Sequence, residues 1–208
     1  MPHPLAQLFR TLGRWSSAWF LGLSLLASGP AATAAPQNPI AGVRFDAQAQ
    51  LAGQALQLNG TGLRAVAWLK GYAAGLYLGQ LAASTEAVLA QAGAKRLQMR
   101  MLVEVPTAEF VKAFHKGVER NTPVAQQAGL AERMARFDAL IQPLGKVRKG
   151  DLVNLDSVPG QGMQLSLNGK SLGAAIPGDD FYDALLRIFL GDKPVDDKLK
   201  AGLLGRRV

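Results

Sequence analysis

The chain has 208 residues, a formal net charge of +8 and no cysteine. The lack of cysteine excludes disulfides, thiolate catalysis and cysteine-based metal sites. The basic excess is compatible with a nucleic-acid or anionic-membrane surface, but an ordinary solvated basic surface is the favoured interpretation. No aromatic residues are interleaved with a basic run, as single-strand binding would require, so we expect no nucleic-acid partner.

The N-terminal segment has the organisation of a secretory signal peptide. Arg10 and Arg14 precede an apolar run over 15–27, and residues 32–34 read A-T-A, a typical cleavage pattern. The alternative is a membrane anchor, but a run of about a dozen residues is shorter than the roughly 20 that a spanning helix needs. We therefore expect cleavage after Ala34, no stable membrane span afterwards, and a periplasmic or secreted protein of about 170 residues. The predicted segments are a signal peptide over 1–34, a linker over 35–40 and one domain over 41–208.

Beyond the linker, the patterns predict an α+β domain. Short strands are predicted over 43–45 and 56–58, followed by a long extended stretch over 58–78, which continues as one strand or folds back near Lys70 and Gly71. The order of strands, then helices, then strands again favours an antiparallel sheet with helices packed on it. The later predicted elements are a helix over 84–92, a strand over 95–105, helices over 108–120 and 130–141, strands over 151–158, 163–167 and 171–176, and helices opening at 178–180 and 194–196.

The stretch over 58–78 places polar groups on an apolar face. Because side chains alternate along a strand, the even spacing puts Arg64, Lys70 and Tyr72 on the same side as large apolar residues. The other side consists mostly of alanine and glycine, which suits close packing against another layer. This pattern predicts an apolar cleft with a cationic floor, unless a bulge at Lys70 and Gly71 breaks the alternation.

Arg64 requires a partner, because burying an unpaired charge is costly. An internal carboxylate such as Asp156 or Glu104 is one possibility. A ligand oxyanion or carboxylate, which a guanidinium binds as a planar fork, is the other. Spacing alone slightly favours the internal partner.

Other candidate motifs have structural explanations. The G-x-G-x-x-A run from Gly60 is followed by a strand pattern instead of the helix that a dinucleotide site needs. His115 is the single histidine beyond the predicted signal peptide, too few for a usual metal site. The aspartate pairs at 179–180 and 196–197 lie at predicted helix starts, where carboxylates stabilise the helix dipole. We therefore expect neither a metal nor a cofactor.

Two runs carry a family resemblance. Residues 58–78 contain G-x-G-x-R and K-x-Y-x-x-x-L-Y-L, and residues 181–194 read F-Y-D-A-L-L-R-I-F-L-G-D-K-P, followed by L-L-G at 203–205. Together they resemble the chalcone isomerase-like family, in its exported bacterial branch, over 41–205. The resemblance implies an open-faced β-sandwich, in which a large antiparallel sheet carries a layer of helices with a cleft between them.

The plant enzymes of that family close a flavanone ring, with an arginine orienting a phenolate and hydroxyl residues polarising a ketone. By resemblance, Arg64 matches the arginine and Tyr72 stands at a catalytic threonine. Phe110 stands at a catalytic tyrosine, and Ser171 matches a hydroxyl residue lining the substrate site. Two of these positions depart from the enzymes: Phe110 has no hydroxyl to hold a ketone-polarising water, and Tyr72 is bulkier than threonine.

The arginine–tyrosine pair resembles instead the non-catalytic, fatty-acid-binding relatives, in which both side chains hold a carboxylate. The leading hypothesis is therefore a protein that binds a small amphipathic acid, or a phenolic ligand, through Arg64 and Tyr72, with Phe110 and Ser171 in the site. One alternative is an intramolecular lyase or isomerase in which Arg64 and Tyr72 are catalytic. The other is a non-catalytic envelope scaffold whose cleft is filled by its own side chains.

Overall fold

The computed structural model describes residues 39–67 and 69–206. The predicted signal peptide and most of the predicted linker lie outside the described residues. Within them, no helix is both long and apolar enough to cross a bilayer.

The described chain forms a seven-stranded antiparallel sheet with helices on one face, in the order β1-β2-β3-β4-β7-β8-β9. The predicted α+β class and large antiparallel sheet are confirmed. The strands are β1 (Gln48–Leu51), β2 (Gln54–Val66), β3 (Leu69–Leu78), β4 (Lys95–Met101), β5 (Val105–Pro106), β6 (Lys146–Val147), β7 (Leu152–Val158), β8 (Gly162–Leu167) and β9 (Lys170–Ser171), with β5 and β6 forming a separate small ladder. The helices are α1 (Thr85–Leu89), α2 (Thr107–Asn121), α3 (Val124–Ile141), α4 (Asp179–Leu190) and α5 (Asp197–Leu203), with a short 3-10 helix at Gln142–Leu144.

Several boundaries differ from the sequence patterns. Residues 43–45 form no strand: Val43 makes an isolated bridge with Ile40, and Phe45 packs onto the outer sheet face over Gly75. The helix predicted over 130–141 begins six residues earlier, directly after Pro123. That first part is exposed and rich in alanine and glutamine, so it carries little apolar periodicity. The strand predicted over 171–176 is reduced to the end of β9 and one bridge between Ile176 and Met163.

The central stretch folds into the hairpin of β2 and β3. Its turn lies at Ala67, which has a φ of 51°, and not at Lys70 and Gly71. Arg64 and Tyr72 are therefore direct cross-strand partners. Residues opposite each other in an antiparallel pair share one face, so the predicted common face is retained although the chain reverses between them.

Two register shifts in β2 turn its second half toward the helix layer. The register of β2 and β3 shifts between Leu58 and Gly60, and again between Arg64 and Ala65. Past the first shift, Gly60 and Gly62 lie directly beneath α5. A Cβ at Gly62 would lie 2.7 Å from the Leu199 backbone oxygen. The two glycines therefore allow α5 to pack against β2 backbone to backbone, with its N-terminus near Arg64.

The main core lies between the sheet and the helix layer. Its centre is α4, which buries eight of its twelve residues against β4, β7 and β8. Helix α2 crosses α4 closely at Gly117, where a Cβ would meet Ile188. A smaller cluster on the outer sheet face contains Leu56, Leu58, Tyr77 and Ala94. Packing on both faces explains why β3 is buried along most of its length.

Candidate functional site

An apolar cavity of about 260 Å³ lies between the inner sheet face and the helix layer. Strands β2, β3, β4, β7 and β8 supply its floor, and helices α2, α3 and α4 supply its roof. Most of its walls are aliphatic or aromatic. The lining residues are Arg64, Gly71, Tyr72, Met99, Met101, Val105, Glu109, Phe110, Ala113, Phe114, Phe137, Ile141, Leu144, Val147, Val153, Leu155, Leu165, Ser166, Leu167, Leu172, Leu185, Ile188, Phe189 and Val195.

Arg64 and Tyr72 form one polar end of this cavity. The β2–β3 register places them opposite each other, and both line the cavity wall. The Arg64 side chain remains 25% exposed, so this end of the cavity lies near solvent. The cavity thus combines a polar end near the surface with an apolar interior.

The protein partner of Arg64 is Asp196, not Asp156 or Glu104. Nη1 of Arg64 donates to Oδ2 of Asp196 at 3.2 Å and to the Ala65 carbonyl at 2.7 Å. Asp156 lies on the outer sheet face and accepts two hydrogen bonds from Arg96, both at 2.7 Å. Glu104 pairs with Lys146 at 2.9 Å.

The pairing with Asp196 uses only one of the three Arg64 nitrogens. Among residues 39–67 and 69–206, neither Nε nor Nη2 has a hydrogen-bond partner. These two nitrogens form one donor edge of the guanidinium, which is the geometry that a carboxylate accepts. Arg64 is therefore held by the protein while three of its five N–H donors remain uncommitted within the described chain.

The Tyr72 hydroxyl also makes no hydrogen bond to the described residues, although Tyr72 packs against the core. Burial raises the pKa of the phenol well above its ordinary value, the nearby Arg64 charge opposes this rise, and Asp196 adds to it. The phenol therefore stays neutral at physiological pH and can donate a hydrogen bond. Tyr72 and the Arg64 edge together offer three donors at one end of the cavity.

The remaining predicted site residues are separated by the fold. Phe110 lies on α2 in the cavity wall, on the roof side. Ser171 is exposed on β9 and does not contribute to the wall, whereas its neighbour Leu172 does. Ser166 lines the cavity, but its hydroxyl accepts a hydrogen bond from Asn154 at 3.3 Å. The structure thus brings Arg64, Tyr72 and Phe110 to one cavity and leaves Ser171 outside it.

Two carboxylates have contacts that the sequence patterns do not indicate. Asp196 caps α5, as its position at a predicted helix start implies, by accepting a hydrogen bond from the Leu199 amide at 3.0 Å. Its second oxygen pairs with Arg64, more than 130 residues away in sequence, and no local pattern indicates such a contact. Glu109, in the first turn of α2, lines the cavity, and its carboxylate remains exposed.

The other candidate groups have structural partners. Asp180 accepts a hydrogen bond from Arg133, and this ion pair links the start of α4 to α3. His115 is about half exposed, and its Nε2 lies 2.8 Å from Oδ2 of Asp138 on α3. Within the described part of the chain, no group of three or more potential metal ligands comes together.

The fold and the site define an α+β protein in which helices enclose an apolar cavity against an antiparallel sheet. The chain belongs to the chalcone isomerase-like family, whose model matches residues 37–205, and this confirms the resemblance seen in the sequence. A similar solved structure is that of a fatty-acid binding protein from Arabidopsis thaliana, with 15% sequence identity and a TM-score of 0.57. The match covers 78% of this chain and 92% of the Arabidopsis chain, and it supports the fold. No curated protein sequence matches this chain significantly.

Proposed function

We propose that this protein binds a small, fatty-acid-like carboxylic acid in the cavity, with Arg64 and Tyr72 holding the carboxylate. The observation that carries this proposal is the pairing of uncommitted donors at one end of an otherwise apolar cavity. A carboxylate accepts bidentate hydrogen bonds from a guanidinium edge and a further bond from a phenol. The fatty-acid binding activity named for the Arabidopsis neighbour is consistent with such a ligand.

The shape of the cavity orients the ligand. Arg64 and Asp196 keep 25% and 16% of their side-chain surface exposed, so the headgroup would sit near the mouth. The tail would extend inward among residues such as Phe110, Leu185 and Phe189. A cavity of about 260 Å³ has room for an acyl tail, and octanoate, a medium-chain acid, is the probe for the experiments below.

The two alternative functions, a cyclising enzyme and a scaffold, have less support. A cyclase of the plant type needs a second hydroxyl to polarise the ketone, but Phe110 has none and Ser171 lies outside the cavity wall. A scaffold with a filled cleft would have Arg64 fully paired and no cavity. Here a cavity is present, and only Nη1 of Arg64 is engaged among the described residues.

The binding proposal is tested by native mass spectrometry of the purified protein, followed by extraction of any bound acid and titration with octanoate. We expect Arg64→Met to weaken octanoate binding by about 100- to 20,000-fold, because two hydrogen bonds to a charged group are lost at about 1.5–3 kcal/mol each. Arg96→Met is the matched control: it breaks an arginine–aspartate pair on the opposite sheet face. It should lower stability and leave affinity unchanged. Equal affinities in Arg64→Met and wild type would contradict the proposal, and conversion of a chalcone by the wild type would favour the enzyme.

We also propose that the protein is exported to the periplasm or beyond, because residues 1–34 have the charge and hydropathy pattern of a signal peptide. N-terminal sequencing of the protein recovered from the producing cells tests this directly. A mature chain beginning at Ala35 supports export, whereas an intact Met1 terminus in a cell-envelope fraction would favour the anchor.

A further inference from the structure

A fixed carboxylate of the protein itself, Asp196, lies beside the polar end of the cavity, in contact with the lining residue Arg64. Asp196 accepts from the Leu199 amide through Oδ1 and from Arg64 through Oδ2, so each oxygen has a defined role. The first contact anchors Asp196 to the N-terminus of α5, and Gly60 and Gly62 let α5 lie against β2. Asp196 is thus held in place by backbone packing and cannot easily turn away from Arg64.

This placement determines which donors of Arg64 remain for a ligand. Nη1 is used twice, by Asp196 and by the Ala65 carbonyl. Within residues 39–67 and 69–206, the Nε–Nη2 edge has no partner. A ligand headgroup can therefore bind to this edge and to the Tyr72 hydroxyl without displacing Asp196.

The same placement cancels the charge that would attract an anion. Arg64 contributes one positive charge, and the adjacent Asp196 contributes one negative charge. Among the described lining residues, Glu109 is the one carboxylate and Arg64 the one basic residue, and Asp196 lies beside Arg64. An anionic headgroup would thus meet good donors in an environment without net positive charge. Hydrogen bonding, and not attraction between opposite charges, would then dominate recognition.

We propose that Asp196 is the specificity-determining residue of the cavity, making it tolerant of neutral hydrogen-bonding headgroups as well as carboxylates. This inference rests on the proposed binding function. With Asp196 in place, the acid gains no net-charge attraction over a medium-chain alcohol of the same length, and it exceeds the alcohol only through its stronger hydrogen bonds. Removing the Asp196 charge increases the preference for the anion.

The experiment compares octanoate with 1-octanol by calorimetry at pH 7.5, in the full-length wild type and in Asp196→Asn and Asp196→Ser. Asparagine and serine both cap helices, so α5 keeps its N-terminal side-chain acceptor. We expect either variant to bind octanoate about tenfold more tightly than the wild type does, since one repelling charge has been removed at a partly screened site. Affinity for 1-octanol should change less than about twofold, since the alcohol carries no charge. Asp197→Asn is the matched control: Asp197 is exposed and neighbours Asp196 in sequence, and its removal should change neither affinity.

The outcomes separate this inference from the proposed function. If the wild type binds octanoate and both Asp196 variants keep the same acid-to-alcohol ratio, the role of Asp196 is overturned and ligand binding stands. Weaker octanoate binding in correctly folded variants also overturns it, because Asp196 would then serve only to hold Arg64. If the wild type binds neither compound, the binding function fails and this inference fails with it. Circular dichroism identifies a variant that does not fold, and the other substitution then decides.

Discussion

The Tyr72→Phe substitution tests the polar end of the cavity with the smallest possible change. It removes one oxygen atom and keeps the aromatic ring that packs against the core. Among the described residues the hydroxyl has no hydrogen-bond partner, so its removal leaves no protein group unpaired. We therefore expect the Phe variant to be about as stable as the wild type.

Octanoate affinity, unlike stability, should fall in the Tyr72→Phe variant. A hydrogen bond to a charged acceptor contributes about 1.5–3 kcal/mol, and each 1.4 kcal/mol is tenfold in affinity. Tyr72→Phe should therefore weaken octanoate binding about 10- to 150-fold. Calorimetric titration measures the affinity, and thermal unfolding of the same samples measures the stability.

Tyr182→Phe provides the matched control, because it deletes the same atom from a second buried tyrosine. The Tyr182 hydroxyl donates to the Leu155 carbonyl at 3.1 Å, and Tyr182 does not line the cavity. Its loss should lower stability by about 0.5–1.5 kcal/mol and leave octanoate affinity unchanged. If Tyr72→Phe bound octanoate as tightly as the wild type, or if both variants lost the same affinity, Tyr72 would have no part in headgroup binding.

Two further predictions concern the scaffold. Gly62→Ala should lower the free energy of unfolding by about 1–3 kcal/mol in chemical denaturation, because its Cβ would meet the Leu199 backbone. Gly129→Ala, in open space on α3, should instead raise the free energy of unfolding by about 0.5–1 kcal/mol. Equal effects would contradict the close packing of α5. Burial raises the pKa of Asp183, opposed by Lys95 and Arg187, so the wild type loses stability as the pH rises through that pKa. Asp183→Asn should have a higher melting temperature than the wild type at pH 7 and an equal one below the ordinary pKa of aspartate; a lower melting temperature at pH 7 would contradict the burial cost.

The sequence was sufficient for the class of the fold, because antiparallel strands and surface helices leave local signals. The alternation over 95–105 predicts β4, and the turn pair Asn168 and Gly169 predicts the hairpin of β8 and β9, since backbone conformation and one-sided burial act over a few residues. The common face of Arg64 and Tyr72 was predictable for the same reason. The common face is retained although the turn lies at a different position, because cross-strand partners share a face just as alternate residues of one strand do.

Only the tertiary structure decided what surrounds that face. Asp196 meets Arg64 because α5 returns across β2, and this crossing depends on close contacts at Gly60 and Gly62 between parts of the chain more than 130 residues apart. The exposure of Ser171 follows from the early end of β9. Local sequence patterns report the conformation and the buried side of each element, whereas the partner of a charged group depends on which distant backbone packs against it. For this protein, the sequence determined the sheet and its polar face, and long-range packing determined the cavity and the carboxylate that neutralises its arginine.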